Sequence, residues 1–335
     1  MTGYGRIVVG AHGSPTSEVA EEVAARLANE LGAELVLIHV SDDMVTAEDI
    51  LHLAAERVRA LGVEAQTRHR EGDVAESIVA AAAELRADLL VIGDHGMGPA
   101  SRFSLGGLPS QVAHHAPVDI LVVRTAHPAR QHPYRRILIA TDGSLTAHQA
   151  TRHGYGLAEA VGAEVTLIYV GDELIGDIVL RDTAARFDGE VSDRIVTKGN
   201  PAVEISKEAR SHDLVVVGNK GMTGSRRYIQ RVVPNRVAHE APSDVLIVKT
   251  VSRSFFDLRP GEGAVIETDG QKVAAYLHYD GTTYALSARC THMGCIVDWN
   301  SRARTWDCPC HGSRFEYTGT IINGPAARPL PPVKV

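Results

Sequence analysis

No run of eighteen apolar residues occurs anywhere in the 335-residue chain, which removes the usual signature of a membrane-spanning helix. The first residues, MTGYGRIVVGAHGS, hold no charged leader followed by a long apolar stretch, so the expected protein is soluble and cytoplasmic, with no membrane partner. Basic residues are not in excess: 34 Lys and Arg stand against 41 Asp and Glu, a formal charge of -7, which leaves no electrostatic footprint for nucleic acid. The imbalance falls in the first 250 residues, 25 basic against 33 acidic, while the remainder holds 9 against 8. No G-x-G-x-x-G turn follows the first strand, so a dinucleotide fingerprint is missing. Cysteine is scarce as well, and none precedes residue 290.

All four cysteines, Cys290, Cys295, Cys308 and Cys310, fall in one window that reads CTHMGC, then WN at Trp299 and Asn300, then WDCPCHGS. Two boxes, C-x-H-x-x-C and C-x-C-H, each bring thiol and imidazole, and the span between them suits a hairpin that sets the boxes face to face. A site of two Cys and two His is implied. The residues alone leave open a zinc site, a thiol redox switch and a structural disulfide pair. The one-residue gap in Cys290-Thr-His292 argues against zinc, whose ligands are usually spaced more widely, and a disulfide alone is uncommon in the cytosol.

The two boxes resemble the Rieske family almost residue for residue. The resemblance implies a 2Fe-2S cluster with Cys290 and Cys308 on one iron, His292 and His311 on the other, and a disulfide between Cys295 and Cys310. Imidazole ligands in place of thiolates lift the potential from about -400 mV to roughly -150 to +300 mV, which is one-electron chemistry. Ser313 matches the family serine that hydrogen-bonds a cluster sulfur. Phe315 stands where high-potential members carry a tyrosine hydroxyl, so a lower potential than theirs is expected. Gly324-Pro325 resembles the proline loop that shields the cluster, against the plainer reading of a simple turn. If the histidines face solvent as in the family, the potential falls as pH rises through their oxidised-state pKa values.

The first 250 residues are a duplication. RIVVG (6 to 10) matches RILIA (136 to 140), and ELVLIHV (34 to 40) matches EVTLIYV (164 to 170). DLLVIGDHGMG (88 to 98) matches DLVVVGNKGMTG (213 to 224), and APVDILVV (116 to 123) matches APSDVLIV (241 to 248). An offset of 125 to 130 is too long for a solenoid, so two copies of one domain are predicted, at 1–126 and 134–250. TAHPARQHPYRR (125 to 136) reads as the connector. Apolar strands alternate with helices such as the one carrying Val19, Val23, Leu27 and Leu31 and stopped by Gly32, which predicts an α/β fold with a parallel sheet.

The copies resemble universal stress protein domains, a family of five-stranded α/β folds, some of which bind ATP through G-x2-G-x9-G-[ST] after the fourth strand. Copy one supplies Gly93, Gly96 and Gly106, with His95 inside the loop, and Val40 belongs to the same expected site. Gly107 replaces the hydroxyl residue, and His12 stands where many members are acidic. Copy two keeps Asp142, Gly218 and Gly221 but has Arg231 and Val232 at the final pair, so nucleotide is expected in copy one rather than copy two. Family members commonly dimerise, which implies pairing of the two copies within the chain, or a homodimer. His114 and His115 read as a helix-end feature.

Residues 251–335 alternate as strands, with DG turns at Asp269-Gly270 and Asp280-Gly281, and predict a small antiparallel β domain. Phe255 and Phe256 before it read as core residues. The segment also resembles the Rieske domains appended to FAD-dependent oxidoreductases. The expected function is one-electron transfer or redox sensing, open to modulation by nucleotide in copy one, with an unidentified redox partner. A redox-regulated binding module, or the electron-transfer component of a separate oxidoreductase or oxygenase, is the alternative. No catalytic residue is assigned, and a stand-alone enzyme is the less favoured reading.

Overall fold

The computed structural model describes residues 4–94, 108–125, 134–186, 191–219, 233–249, 258, 260–268 and 271–333. The chain divides into two compact units, Met1–Thr250 and Val251–Val335.

In the first unit each copy runs strand, helix, strand, helix, strand, helix, strand, helix, strand. Copy one comprises β1 (Arg6–Gly10), α1 (Pro15–Leu31), β2 (Glu34–Val40), α2 (Met44–Arg59), β3 (Ala65–Arg70), α3 (Val74–Glu84), β4 (Leu89–Gly93), α4 (Leu108–His115) and β5 (Asp119–Val123). Copy two repeats it with β6 (Arg136–Ala140), α5 (Leu145–Val161), β7 (Glu164–Val170), α6 (Glu173–Arg186), β8 (Val191–Thr197), α7 (Pro201–Glu208), β9 (Leu214–Gly218), α8 (Val233–Glu240) and β10 (Asp244–Val248). The strands join in one ten-stranded sheet ordered β3-β2-β1-β4-β5-β10-β9-β6-β7-β8. Each half is parallel; the halves meet where β5 and β10 pair antiparallel through Val122↔Val245, Leu121↔Leu246 and Ile120↔Ile247. The copies therefore pair inside one chain.

The sequence dictates these elements locally. Ser14 caps α1 in a reciprocal box with Ser17, Pro15 occupies the first turn, and Gly32 closes the helix in a left-handed conformation. The central strands LLVIG and DVLIV are buried throughout, as a sheet covered by helices on both faces requires. One core lies on each face: Val23 and Leu27 of α1 pack with Ile7 and Val9 on one, and Ile78 of α3 packs with Val8 and Val36 on the other.

The second unit is antiparallel. β11 (Gly263–Thr268), β12 (Gln271–Leu277) and β13 (Thr283–Ser287) form a three-stranded sheet. β14 (Asp298–Asn300), β15 (Thr305–Asp307), β16 (Arg314–Glu316) and β17 (Ile321–Asn323) form a four-stranded one. Trp299, Trp306 and Phe315 share a cross-strand row that is buried, while Asp298, Asp307 and Arg314 share the next row, where Arg314 holds Asp307 through two bonds of 3.0 Å.

Candidate redox centre and the cleft of the first copy

Box one connects β13 of the three-stranded sheet to β14 of the four-stranded one, box two joins β15 to β16, and the two loops close alike. In box one the Cys290 N–H donates to the Cys295 carbonyl (2.7 Å) and Gly294 N–H to the Cys290 carbonyl (2.8 Å). In box two Cys308 N–H donates to the Ser313 carbonyl (2.7 Å) and Gly312 N–H to the Cys308 carbonyl (3.1 Å). Gly294 (φ 76°) and Gly312 (φ 72°) hold the same place in each loop, a left-handed turn that a side chain disfavours. The Gly four residues after the first Cys of each box thus has a backbone task.

This closure sorts the donors by depth. Cys290 and Cys308 are buried free thiols, whereas His292 and His311 are exposed, their rings perpendicular with centroids 4.9 Å apart. Burial pushes the Cys308 thiol up, opposed by backbone hydrogen bonds from Cys310 and His311 and raised further by Cys290 beside it. Cys295 and Cys310 are joined in a disulfide, Cα atoms 6.5 Å apart, that ties box one to box two. The sulfurs of Cys295, Cys308 and Cys310 also lie within 4.8 Å of one another, but two are spent in the disulfide, so this trio offers a metal only one thiolate. Two buried thiols beside two exposed imidazoles are a donor set chemically matched to an iron-sulfur group with Cys on one iron and His on the other.

Residues around the boxes are held by specific contacts. Ser313 is fully buried and its Oγ accepts the Ala326 N–H at 3.1 Å, which leaves the hydroxyl proton to donate elsewhere. Gly324 (φ 101°) passes so close that a Cβ there would stand 2.4 Å from Ser313 Cα, so the Gly324-Pro325 loop lies directly on box two. Thr291 Oγ1 donates to the Arg328 carbonyl and fastens the same loop to box one. Phe315 is fully buried in the core that holds Cys290 and Cys308.

In the first unit a cleft of about 420 Å³, counted with its open mouth, lies at the carboxyl ends of β1, β2 and β4. Val40 and Gly93 line it with Ala11, His12, Ile38 and Ile78. His95, Gly96, Gly106 and Gly107 fall outside the described residues, as do Gly221, Arg231, Val232, Phe255 and Phe256. Gly93 has a reason independent of any ligand: a Cβ there would lie 2.6 Å from the Thr16 carbonyl oxygen in the first turn of α1. Gly218 faces Thr146 of α5 in the same way at 2.8 Å. The Nδ1 of His115 meets the Gln111 carbonyl at 2.9 Å, a contact within the last turn of α4.

The seam between the copies, whose pairing was expected, is held by side chains that no motif singled out. Asp119 accepts from Tyr4 Oη (2.6 Å) and the Lys249 N–H (2.8 Å), and Asp244 accepts from Tyr134 Oη (3.0 Å) and the Arg124 N–H (2.8 Å). Each cation then reaches the other copy's helix, Lys249 to the Ala113 carbonyl and Arg124 to that of Ala238. Both copies repeat its elements: Asp119 and Asp244 open β5 and β10, and Arg124 and Lys249 follow those strands, yet nothing in either copy alone says which partner each meets. One contact has no mirror image: His153 of α5 meets Asp119 at 2.5 Å, whereas α1 carries Val23 at the corresponding ninth position.

The universal stress protein family profile matches residues 3–124, 133–178 and 171–249, and the Rieske [2Fe-2S] domain profile matches 250–334. A universal stress protein of Mycolicibacterium smegmatis is 27% identical over 290 residues, 74% of this chain and 98% of that one. An iron-sulfur protein of Bacillus subtilis named as a Rieske 2Fe-2S protein, YhfW, is 45% identical over 76 residues, 23% of this chain. The match spans only 15% of that relative's length. A solved universal stress protein from Archaeoglobus fulgidus superposes on 73% of this chain and 96% of its own with a TM-score of 0.60 at 20% identity, a likeness of fold.

Proposed function

Because the chain belongs to the universal stress protein family and ends in a Rieske [2Fe-2S] domain, we propose that it is a one-electron carrier or redox sensor whose cluster is held by Cys290, His292, Cys308 and His311. The observation that carries this reading is the sorting of donors, two free thiols in the core and two imidazoles at the surface, with the remaining cysteines locked together. The bound cluster supplies reversible one-electron chemistry. Around it the chain's residues set the terms: Ser313 offers a hydroxyl proton to sulfur, Phe315 offers none, and the exposed histidines give a redox partner protein its point of approach.

The finer part of the reading is that a nucleotide enters the cleft of the first copy, with Val40 and Gly93 on its wall, and shifts the potential. The test is a redox titration of anaerobically prepared protein by visible circular dichroism, with and without ATP. A tenfold difference in ATP affinity between the redox states moves a one-electron potential by about 59 mV. Protein with no redox-active cluster would defeat the reading, and an unmoved potential with no ATP bound would reduce it to electron transfer alone.

A further inference from the structure

The tryptophans and tyrosines of the second unit form one stack. Trp306 and Trp299 lie 4.8 Å apart between ring centroids, Trp299 and Tyr276 4.8 Å, and Tyr276 and Tyr317 4.9 Å. From Tyr317 the series continues to Tyr284 (5.2 Å) and His278 (5.6 Å), and from His278 to Tyr279 (6.1 Å), a residue 59% exposed whose ring faces the Arg304 guanidinium. The inner end sits with the ligand thiols: Trp306 is two residues from Cys308, and both tryptophans share one buried core with Cys290 and Cys308. Among the described ring contacts, Tyr276 alone links the tryptophans to the outer rings. The stack is fixed in place, since a Cβ on Gly263 would lie 2.4 Å from the Trp299 ring.

Packing explains contact between aromatics but not the chemistry of these. The buried Nε1–H groups of Trp299 and Trp306 have no hydrogen-bond partner among the described residues. A tryptophan that loses an electron there has no base beside its N–H to take the proton. It stays a radical cation and passes the vacancy to the next ring, whereas exposed Tyr279 releases its phenolic proton to water and holds the radical. Trp and Tyr are the most readily oxidised aromatic side chains, yet their potentials lie far above those of Rieske centres. The stack is therefore silent in ordinary electron transfer and conducts only when a strong oxidant acts at the ligand loops.

Resting on the Rieske reading of the site, we propose that this stack is an electron relay. It completes the reduction of hydrogen peroxide at the loaded centre and moves the oxidising equivalent out of the ligand loops to Tyr279. Cleaving the O–O bond to give two waters takes two electrons and two protons. The reduced centre gives one electron and the relay the other; one proton comes from the Tyr279 phenol by way of water and one from solvent. The tyrosyl radical is then quenched by a thiol reductant in solution.

The experiment mixes reduced, cluster-loaded full-length protein anaerobically with hydrogen peroxide. It reads the tyrosyl radical by electron paramagnetic resonance and the oxidised residues by peptide mapping. Tyr276→Phe keeps the ring and its packing but removes an oxidisable link. The expected result is at least a tenfold loss of Tyr279 oxidation in that variant, with damage moved to Trp299, Trp306 and the ligand loops. Tyr279→Phe is expected to keep the radical and move its end point to Tyr284 or Tyr317. Equal Tyr279 oxidation in wild type and Tyr276→Phe, or in iron-free protein, would overturn the relay. A chain that takes up no cluster, judged by iron content and resonance before peroxide is added, instead marks failure of the Rieske reading.

Discussion

Asp119 and Lys249, 130 residues apart, meet at the seam of the tandem copies, where the carboxylate accepts the lysine's backbone N–H at 2.8 Å. Asp244 does the same for Arg124, so each copy's final strand is anchored by the other's aspartate. Both carboxylates are buried, and removing either takes the acceptor from a phenol and a backbone N–H. Asp119→Ala and Asp244→Ala are each expected to cost on the order of 3 kcal/mol, read as a lower denaturation midpoint of the first unit by circular dichroism.

Glu21 of α1 lies fully buried against Arg57 of α2. Burial raises its carboxyl from 4.5 to about 7, with Arg57 pulling the other way. A folded-state pKa above the unfolded one means that folding favours the protonated form. The group's contribution is complete below about pH 4.5 and fades as pH rises through about 7. The expected decline is at most about 3 kcal/mol across that window. Denaturation at several pH values should show Glu21→Gln flattening the slope between those limits.

Ser313 and Phe315 bracket the potential from two sides. Ser313→Ala removes a hydroxyl donor and leaves the buried Ala326 N–H without its acceptor, so the potential is expected to fall by tens of millivolts and stability by about 1–3 kcal/mol. Phe315→Tyr places a hydroxyl on a fully buried ring, and the potential is expected to rise. Protein-film voltammetry of both variants checks the two signs.

Gly324 combines a φ of 101° with an approach that leaves no room for a side chain over Ser313. Gly324→Ala is expected to lift the Gly324-Pro325 loop away from box two, at a cost of about 1–3 kcal/mol. Faster bleaching of the cluster's visible absorbance in air, measured against wild type, tests it.

The parts written in short, contiguous signals were legible in the sequence. Cysteine confinement with box spacing pointed to a site of two Cys and two His, and matched apolar runs revealed the duplication and its parallel sheets. The seam was not legible, because Tyr4, Asp119 and Lys249 are brought together only by the antiparallel pairing of β5 with β10, which no local pattern specifies. Gly93 shows a subtler limit: the motif suggested a ligand, whereas Thr16 against its backbone already demands a glycine. The aromatic stack was hidden for a similar reason, since Tyr276 lies on β12, Trp299 on β14 and Tyr317 in the turn after β16, and only their packing aligns them.

The antiparallel joint at β5 and β10 also changes what a substitution means. In a dimer of identical chains every change is written twice, once on each side of the axis. Here it is written once, as at His153, which faces Asp119 from α5 while α1 holds Val23 in its place. The two halves are free to specialise, and both are tethered to the Rieske domain that follows them in the chain.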